Sequence, residues 1–502
     1  MRSRLRHLLA VTAALVAIMV VTGRSADSTY SAIQLQLADL LIAEERFPEA
    51  LEAFARAKDG ATPKQLFRAR QGTVLSQLRL ARFADARVEA ELALAESPDD
   101  PEAIVMAGEA LWAAGLFDEA EQAFEDGLAR DPNVARGHHG RAKALMSRNR
   151  LDEALESAQH ALSLSPREGE FHHTVGSLYE RMHRFEEAAV AFGNYVNLLP
   201  NKDQSDRAAW SRAQIRFLRS FGRQVPFNMA PDVEEKLHTV PFRLVRDKII
   251  VRARVNGGRE VDFVVDTGAE QTVVSREIAR RQNVQPVVYT LSAGVGEVGL
   301  RGLQIGRIDS LEIGSLEIEN VPCLIKNPPL TGIPTREVES FSPLAAGLSV
   351  TVDYERRRLT FGRRIAEAPA DVELPLRQHR LVTVSGTIND QEASFVVDTG
   401  GEVISISSQT ASTLNYRPLV RRLPLRVYGS SGWDRDAFLL PGVNLMFNSI
   451  AFPNYPVVVL NLRAPSALLG FQVGGIIGHT FLSRYRVAID LERSVIRLQD
   501  VG

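Results

Sequence analysis

The sequence of 502 residues contains one cysteine, almost no net charge and a single long apolar run. With Cys323 alone no intrachain disulfide can form, and its apolar neighbours predict a buried thiol rather than a nucleophile. A formal net charge of −2 gives no reason to expect a nucleic-acid partner. The sequence shows no metal-ligand cluster, phosphate-binding loop or Ser/His/Asp arrangement, so we expect neither metal nor cofactor. The length allows about three or four domains, each with a core of its own.

The long apolar run lies at the N-terminus, from Leu8 to Gly23. Basic residues precede it: Arg2, Arg4 and Arg6. This order is typical of an export signal, but Arg24 disturbs the small-residue pattern of a cleavage site, so an uncleaved anchor stays open. We therefore interpret residues 1–26 as a signal peptide or an N-terminal membrane anchor. The remainder is predicted to be periplasmic or otherwise extracytoplasmic, either free or anchored to the inner membrane, and the lack of disulfides fits a bacterial periplasm.

Between residues 31 and 202 the sequence repeats with a period of 34 residues. Proline occupies the same position of successive units: Pro98, Pro132, Pro166 and Pro200. Alanine also recurs at this spacing: Ala86, Ala120, Ala154 and Ala188. The period, the small residue where two helices would cross and the terminal proline resemble tetratricopeptide repeats. The resemblance implies stacked helix pairs forming a superhelix, with a groove that binds a protein partner or peptide.

The repeats are assigned to residues 27–222, which include a capping helix over residues 208–221, and residues 223–243 are predicted to be a linker. Two histidine pairs lie one repeat apart: His138, His139, His172 and His173. No cysteine or carboxylate cluster accompanies them, so we interpret them as repeat-equivalent positions rather than metal ligands.

The hexapeptide F-V-V-D-T-G occurs twice, at Phe263–Gly268 and Phe395–Gly400. Each copy ends an apolar run and begins a glycine turn, which predicts a buried strand that delivers a carboxylate into a loop. The sequences around the two copies are also similar, so we infer an internal duplication. Two carboxylates, Asp266 and Asp398, on two copies of one unit indicate a shared acid/base site in which the pair holds one proton.

Beyond residue 242 alternating apolar stretches and glycine turns predict an all-β region. The size of each unit, its D-T-G context and the later Ile476-Ile477-Gly478 resemble a retropepsin-like aspartic peptidase lobe. Two such lobes in tandem would occupy residues 244–363 and 379–502, joined by a linker over residues 364–378. The resemblance implies a bilobal aspartic endopeptidase that is active as a monomer, needs no cofactor, and cuts a protein or peptide substrate.

In such an enzyme Asp266 and Asp398 would be catalytic and hold a water molecule between them. The supporting residues implied are Thr267, Gly268, Thr399, Gly400, Ile476, Ile477 and Gly478. The threonines would hydrogen-bond across the lobe interface, the glycines would let the backbone approach the carboxylates, and the Ile-Ile-Gly loop would support the catalytic strand of lobe 2. The glycine-rich hairpins at 293–302 and 428–436 are candidate flaps.

Lobe 1 departs from the family pattern. Twelve residues before Asp353 the sequence reads Glu339-Ser340-Phe341, and the nearest apolar–apolar–Gly substitute is the displaced Ala345-Ala346-Gly347. We therefore expect lobe 1 to support Asp266 differently or to be catalytically damaged. Three hypotheses stay open: an envelope endopeptidase, a catalytically impaired peptide-binding scaffold, and a homodimer in which lobe 2 pairs with lobe 2.

Overall fold

The computed structural model describes residues 28–293, 300–326, 339–367, 369–414, 423–429 and 432–501. The helices are α1, with residues 28–43 described; α2, Phe47–Ala57; α3, Pro63–Arg79; α4, Phe83–Glu96; α5, Pro101–Ala114; α6, Phe117–Arg130; α7, Ala135–Ser147; α8, Leu151–Leu164; α9, Gly169–Arg181; α10, Phe185–Leu198; α11, Asp206–Arg219; α12, Pro231–Glu234; α13, Arg276–Arg281; α14, Ser408–Thr413; α15, Arg463–Leu469; and α16, His479–Leu482.

The strands are β1, His238–Pro241; β2, Arg243–Val245; β3, Lys248–Val255; β4, Val261–Val265; β5, Thr272–Ser275; β6, Pro286–Ala293; β7, Leu300–Ile313; β8, Leu316–Lys326; β9, Glu339–Phe341; β10, Ser349–Asp353; β11, Arg358–Gly362; β12, Val372–Gln378; β13, Val382–Ile388; β14, Gln391–Val397; β15, Ser405–Ser407; β16, Leu423–Pro424; β17, Val427–Gly429; β18, Gly432–Asp434; β19, Phe438–Phe447; β20, Ile450–Leu460; β21, Gly475–Ile477; β22, Tyr485–Asp490; and β23, Val495–Asp500.

Helices α1–α11 form the predicted repeats because small residues lie where neighbouring helices cross. A methyl group added at Gly108 would lie 2.8 Å from the Phe124 ring, and one at Gly140 would lie 2.4 Å from the same ring. Ala120 and Ala154, which lie at equivalent positions of the second helices of two repeats, are fully buried. The predicted all-α superhelix is therefore confirmed. None of the helices within the described ranges has both the length and the apolarity needed to cross a bilayer.

The two C-terminal lobes have the same strand order. Lobe 1 runs β3-β4-β9-β5-β8-β7, and lobe 2 runs β13-β14-β21-β15-β20-β19. In each lobe the strand that precedes the aspartate pairs in parallel with a short later strand, β9 in lobe 1 and β21 in lobe 2. The all-β bilobal fold and the duplication predicted from the hexapeptide are thus confirmed.

A shared sheet joins the lobes, in the order β1-β11-β10-β22-β23-β12. At its centre β10 of lobe 1 pairs with β22 of lobe 2, with Val350 opposite Ile489. The residues predicted to be linkers contribute to it, since residues 223–243 include β1 and residues 364–378 include β12. Backbone hydrogen bonds therefore hold the lobes side by side, together with an apolar core common to both.

The repeats pack on both lobes. On lobe 2 the rings of Trp112 and Phe117 contact His379 and Phe471, with ring centres about 4.5–5.5 Å apart. Beside this cluster Arg377 forms ion pairs with two carboxylates of α6. On lobe 1 the C-terminal helix α11 packs against β6, β7 and β8. The repeat superhelix is consequently anchored at two separate places on the β half.

Candidate active site

Strands β4 and β14 end directly before Asp266 and Asp398, and the following turns donate backbone hydrogen bonds to the carboxylates. The Gly268 N–H donates to Asp266 Oδ1 over 3.0 Å. Asp398 Oδ1 accepts from the Gly400 and Gly401 N–H groups over 2.7 and 2.9 Å. These donors fix the orientation of both carboxylates at the bottom of the cleft between the lobes.

The two aspartate loops approach each other closely enough for the carboxyl groups to hydrogen-bond. Each loop glycine borders the carboxylate of the opposite lobe. A Cβ on Gly268 would lie 2.6 Å from Asp398 Oδ1, and one on Gly400 would lie 2.9 Å from Asp266 Oδ1. Close approach therefore requires glycine at both positions.

Crossed hydrogen bonds between the two threonines lock the loops together. The Thr267 N–H donates to Thr399 Oγ1 over 3.1 Å, and the Thr399 N–H donates to Thr267 Oγ1 over 3.0 Å. Each hydroxyl also donates to the carbonyl before the opposite aspartate, Val397 over 2.8 Å and Val265 over 2.7 Å. Both threonines are at most 2% exposed, so these bonds are shielded from water.

Burial and mutual repulsion change the acidity of the pair. Burial, followed by the negative charge of Asp266, raises the pKa of Asp398 to about 7. Burial also raises the pKa of Asp266, although its hydrogen bond with Asp398 works in the opposite direction. Two carboxylates in contact cannot both ionise at low cost, so the pair titrates as one unit and keeps one proton at mildly acidic pH.

The expectation that lobe 1 lacks the supporting loop is wrong. Strand β9, Glu339–Phe341, pairs in parallel with β4, and the Asp266 N–H donates to the Phe341 carbonyl over 2.9 Å. In lobe 2 the Asp398 N–H donates to the Ile477 carbonyl over 3.0 Å. Both bonds use the backbone, so the support survives a change from apolar to polar side chains. The displaced Ala345–Gly347 segment does not take this role.

In lobe 1 the Ser342 hydroxyl replaces a backbone hydrogen bond that proline cannot make. In lobe 2 the N–H of His479, directly after Gly478, donates to the Gly401 carbonyl over 2.8 Å. Lobe 1 has Pro343 at the position equivalent to His479, and proline has no N–H to donate. The Ser342 hydroxyl instead donates over 2.6 Å to the carbonyl of Ala269, which is equivalent to Gly401.

The other candidate residues lie in positions that indicate a structural rather than a catalytic role. Asp353 and Asp490 accept backbone hydrogen bonds from the residues three positions later, as expected of turn carboxylates. Cys323 is fully buried, and burial raises the pKa of its thiol to about 12. His138 and His172 hydrogen-bond to proline carbonyls at repeat-equivalent positions. Among the described residues no group of His, Cys, Asp and Glu could hold a metal ion.

The flap candidates fall partly outside the described residues. Residues 294–299 lie beyond what the structure describes, and β6 and β7 pair on either side of them. Residues 430–431 also lie outside it, between the paired strands β17 and β18.

The cleft and the repeat groove open into one cavity of about 3070 Å³. Its lobe side includes both aspartates, and its repeat side includes Lys143, Glu180 and Arg181. Sequence reasoning assigned no chemistry to the repeats and missed these residues. The signal that could have indicated them is the 34-residue spacing, because residues at one repeat position line the same face of the superhelix.

Residues 251–333 and 384–484 match the family described as "gag-polyprotein putative aspartyl protease". The first match ends before β9, whereas the second includes the Ile-Ile-Gly loop, in keeping with the altered side chains of lobe 1. Residues 77–144 match a tetratricopeptide repeat family. No curated protein sequence matches the chain.

Solved structures similar to this chain include repeat proteins. A thermophilic tetratricopeptide protein of Thermus thermophilus is 22% identical, covering 37% of this chain and 98% of that one, with a TM-score of 0.31. MamA of Desulfovibrio magneticus RS-1 is 19% identical, covering 35% and 98%, with a TM-score of 0.24. YrrB, described as a tetratricopeptide protein with an unusual peptide-binding site, is 17% identical, covering 34% and 86%, with a TM-score of 0.21. The family matches therefore place a region similar to tetratricopeptide repeats before two tandem regions similar to the aspartyl protease family.

Proposed function

We propose that this protein is an aspartic endopeptidase that hydrolyses peptide bonds with Asp266 and Asp398. Its repeats bind the protein substrate or a protein partner. The observation that carries the proposal is the crossed threonine pair, which holds two carboxylates in hydrogen-bond contact at the bottom of an open cleft. A scaffold that only binds peptides has no need of a buried, proton-sharing pair.

The chemistry follows from the shared proton. The ionised carboxylate takes a proton from a water molecule bound between the pair, and the oxygen of that water attacks the scissile carbonyl carbon. The protonated carboxyl donates a hydrogen bond to the carbonyl oxygen, on which negative charge develops. Collapse of the tetrahedral intermediate then passes a proton to the leaving amine, and no covalent enzyme intermediate forms.

The support that β9 gives to Asp266 weakens the scaffold alternative, because that alternative depended on lobe 1 having no supporting loop. Both aspartates receive equivalent backbone support from β9 and β21. The same symmetry favours a monomer that pairs lobe 1 with lobe 2 over a homodimer that bypasses lobe 1.

Cleavage of a broad peptide library by the protein without residues 1–26 tests the proposal, with Asp266→Asn and Asp398→Asn run beside it. Asp309→Asn, an exposed aspartate of lobe 1, serves as the matched control. We expect both dyad variants to lose cleavage and the control to retain it. Cleavage that survives only in Asp266→Asn would support pairing between two copies of lobe 2, and an inactive parent at every pH would support the scaffold alternative.

We also propose that the enzyme works in the bacterial cell envelope. The arginines and the apolar run within residues 1–26 support export of the remaining chain. Accessibility of the repeats to protease added to spheroplasts would test this. Digestion of the protein only after lysis would contradict it, and recovery with membranes rather than with the released periplasm would favour the uncleaved anchor.

A further inference from the structure

The repeat side of the cavity is a wall of charged side chains on the first helices of successive repeats. We call it the repeat wall and define it by Arg79, Glu109, Arg136, Lys143, Glu170, Glu180 and Arg181. The cavity volume of about 3070 Å³ exceeds the range of about 300–1,000 Å³ that is usual for small-molecule sites. A cavity of this size and polarity fits a stretch of polypeptide rather than a compact ligand.

Most charges of the repeat wall are already paired. Arg136 Nε donates to both carboxylate oxygens of Glu109, over 3.1 and 3.0 Å. Arg79 lies 2.7 Å from Glu170. Each of these two ion pairs is electrically neutral, so neither pair attracts a ligand of either sign.

Lys143 is different, because among the described residues no carboxylate lies within ion-pair distance of it. Its ammonium lies 5.5 Å from the centre of the Trp112 ring, and burial lowers its pKa from the usual value. The carboxylate that raises its pKa most, Glu109, is already paired with Arg136. An uncompensated cation that faces a cavity is stabilised by any carboxylate that enters.

Arg181 adds a second positive charge without an anionic partner in the described part of the chain. Its guanidinium donates to neutral oxygens, including the Gln378 backbone and side-chain carbonyls over 2.9 and 2.8 Å. Glu180 does not cancel these charges in mildly acidic solution, because burial raises its pKa to about 7. The wall therefore carries an excess of positive charge under the conditions that favour the dyad.

The wall adjoins the catalytic loop. Arg380 of lobe 2 lies 3.6 Å from Glu270, four residues after the catalytic Asp266. The same arginine lies close enough to Glu180 and His173 of helix α9 to influence their acidity. One extended chain can therefore contact the repeat wall and the dyad at the same time.

We infer that the substrate is an extended polypeptide whose acidic side chains bind at Lys143 on the repeat wall while a neighbouring part of the same segment lies at the dyad. This inference rests on the proposed function and adds a substrate class to it. Folded proteins would not enter the space between the repeats and the lobes, so selection would favour unfolded, acidic segments.

The test uses two fluorescein-labelled peptides of equal length, a Glu–Ser repeat and a Gln–Ser repeat, with the otherwise complete Asp398→Asn protein to prevent cleavage. Fluorescence anisotropy is expected to show about tenfold tighter binding of the Glu–Ser peptide, corresponding to one charge-assisted contact. Lys143→Gln should remove most of this preference. Lys64→Gln, an exposed lysine on α3 outside the cavity, is the matched control and should retain it.

A second arm separates this inference from the proposed function. A cleavable peptide from the library is extended with either repeat sequence, and the Glu–Ser extension should lower KM with little change in kcat. Lys64→Gln should cut an unextended peptide at the parental rate, and a circular-dichroism spectrum and an unfolding curve like those of the parent would establish that Lys143→Gln folds. Equal binding of the two labelled peptides, or a preference that survives Lys143→Gln, would overturn the inference even if cleavage is observed. A parent that cuts nothing but binds the Glu–Ser peptide through Lys143 would contradict the proposed function alone.

Discussion

Removal of one hydroxyl from the crossed threonine pair should show how much the threonines contribute to stability and activity while both carboxylates are kept. In Thr399→Val the side chain keeps its shape and loses the oxygen that accepts from the Thr267 N–H and donates to the Val265 carbonyl. Each lost hydrogen bond costs about 1 kcal/mol, and a buried N–H without a partner adds about 1–3 kcal/mol. We therefore expect the free energy of unfolding to fall by about 3 kcal/mol.

Activity should fall further than stability alone explains. The hydroxyl connects one aspartate loop to the strand that delivers the other, so its loss lets the carboxylates move apart. A displacement of about 1 Å in a catalytic group can cost about a hundredfold in rate. The assays are chemical unfolding, kcat/KM on a library-derived peptide, and hydrogen exchange of the Thr267 amide.

Thr399→Ser is the control, since it restores the oxygen and removes only a methyl group. It should recover most of the activity and the protection of the Thr267 amide, at a cost of about 1 kcal/mol for the lost methyl. The reasoning would be refuted if Thr399→Val kept the parental amide protection and rate, or if Thr399→Ser were equally damaged.

Three further perturbations have defined outcomes. Gly478→Ala should reduce activity and stability, because its Cβ would lie 2.7 Å from the Val403 carbonyl. Ser342→Ala, at the equivalent position of lobe 1, should cost only about 1 kcal/mol for its hydrogen bond. Unfolding curves of the two variants would show this difference in stability. Arg377→Met should lose about 2 kcal/mol of stability in chemical unfolding, since it removes the buried partner of two α6 carboxylates and leaves them only Arg148; unchanged stability would contradict a role for this contact. The pKa of Asp398 is raised to about 7, so its stabilising contribution is fully present below the unfolded-state pKa of about 4 and is lost as pH rises to about 7. Activity should fall as pH rises through about 7, and the stability of Asp398→Asn relative to the parent should increase between about pH 4 and pH 7 and level off above that.

The architecture was predictable where the sequence repeats itself. The 34-residue spacing of proline and alanine predicted the helical half, since each repeat must bury the same two faces. The doubled hexapeptide predicted two lobes and a shared site at Asp266 and Asp398, and the structure places these two carboxylates together. Both predictions depend on side chains whose identity is dictated by close packing.

The lobe 1 loop was missed because its function lies in the backbone. The count of twelve residues before Asp353 led to Phe341, which does accept the Asp266 N–H, but Glu339 and Ser340 made the segment look unsuitable. The spacing located this segment to within one residue, since Phe341 is equivalent to Ile477 rather than to Gly478, whereas apolar composition did not locate it. The joint cavity could not be predicted either, since it depends on contacts such as Arg377 with helix α6 that link positions far apart in sequence.

The sheet shared by the lobes also sets an order of events during folding. Strand β23, Val495–Asp500, lies between β22 and β12, and β22 in turn pairs with β10 of lobe 1. The β10–β22 and β12–β23 pairings join residues more than a hundred positions apart, and such contacts form late because long loops must close first. Lobe 1 and the repeats can therefore be made before their partner lobe exists. The newly made chain would have no assembled dyad, and so could not cut itself or its neighbours, until β22 and β23 had emerged.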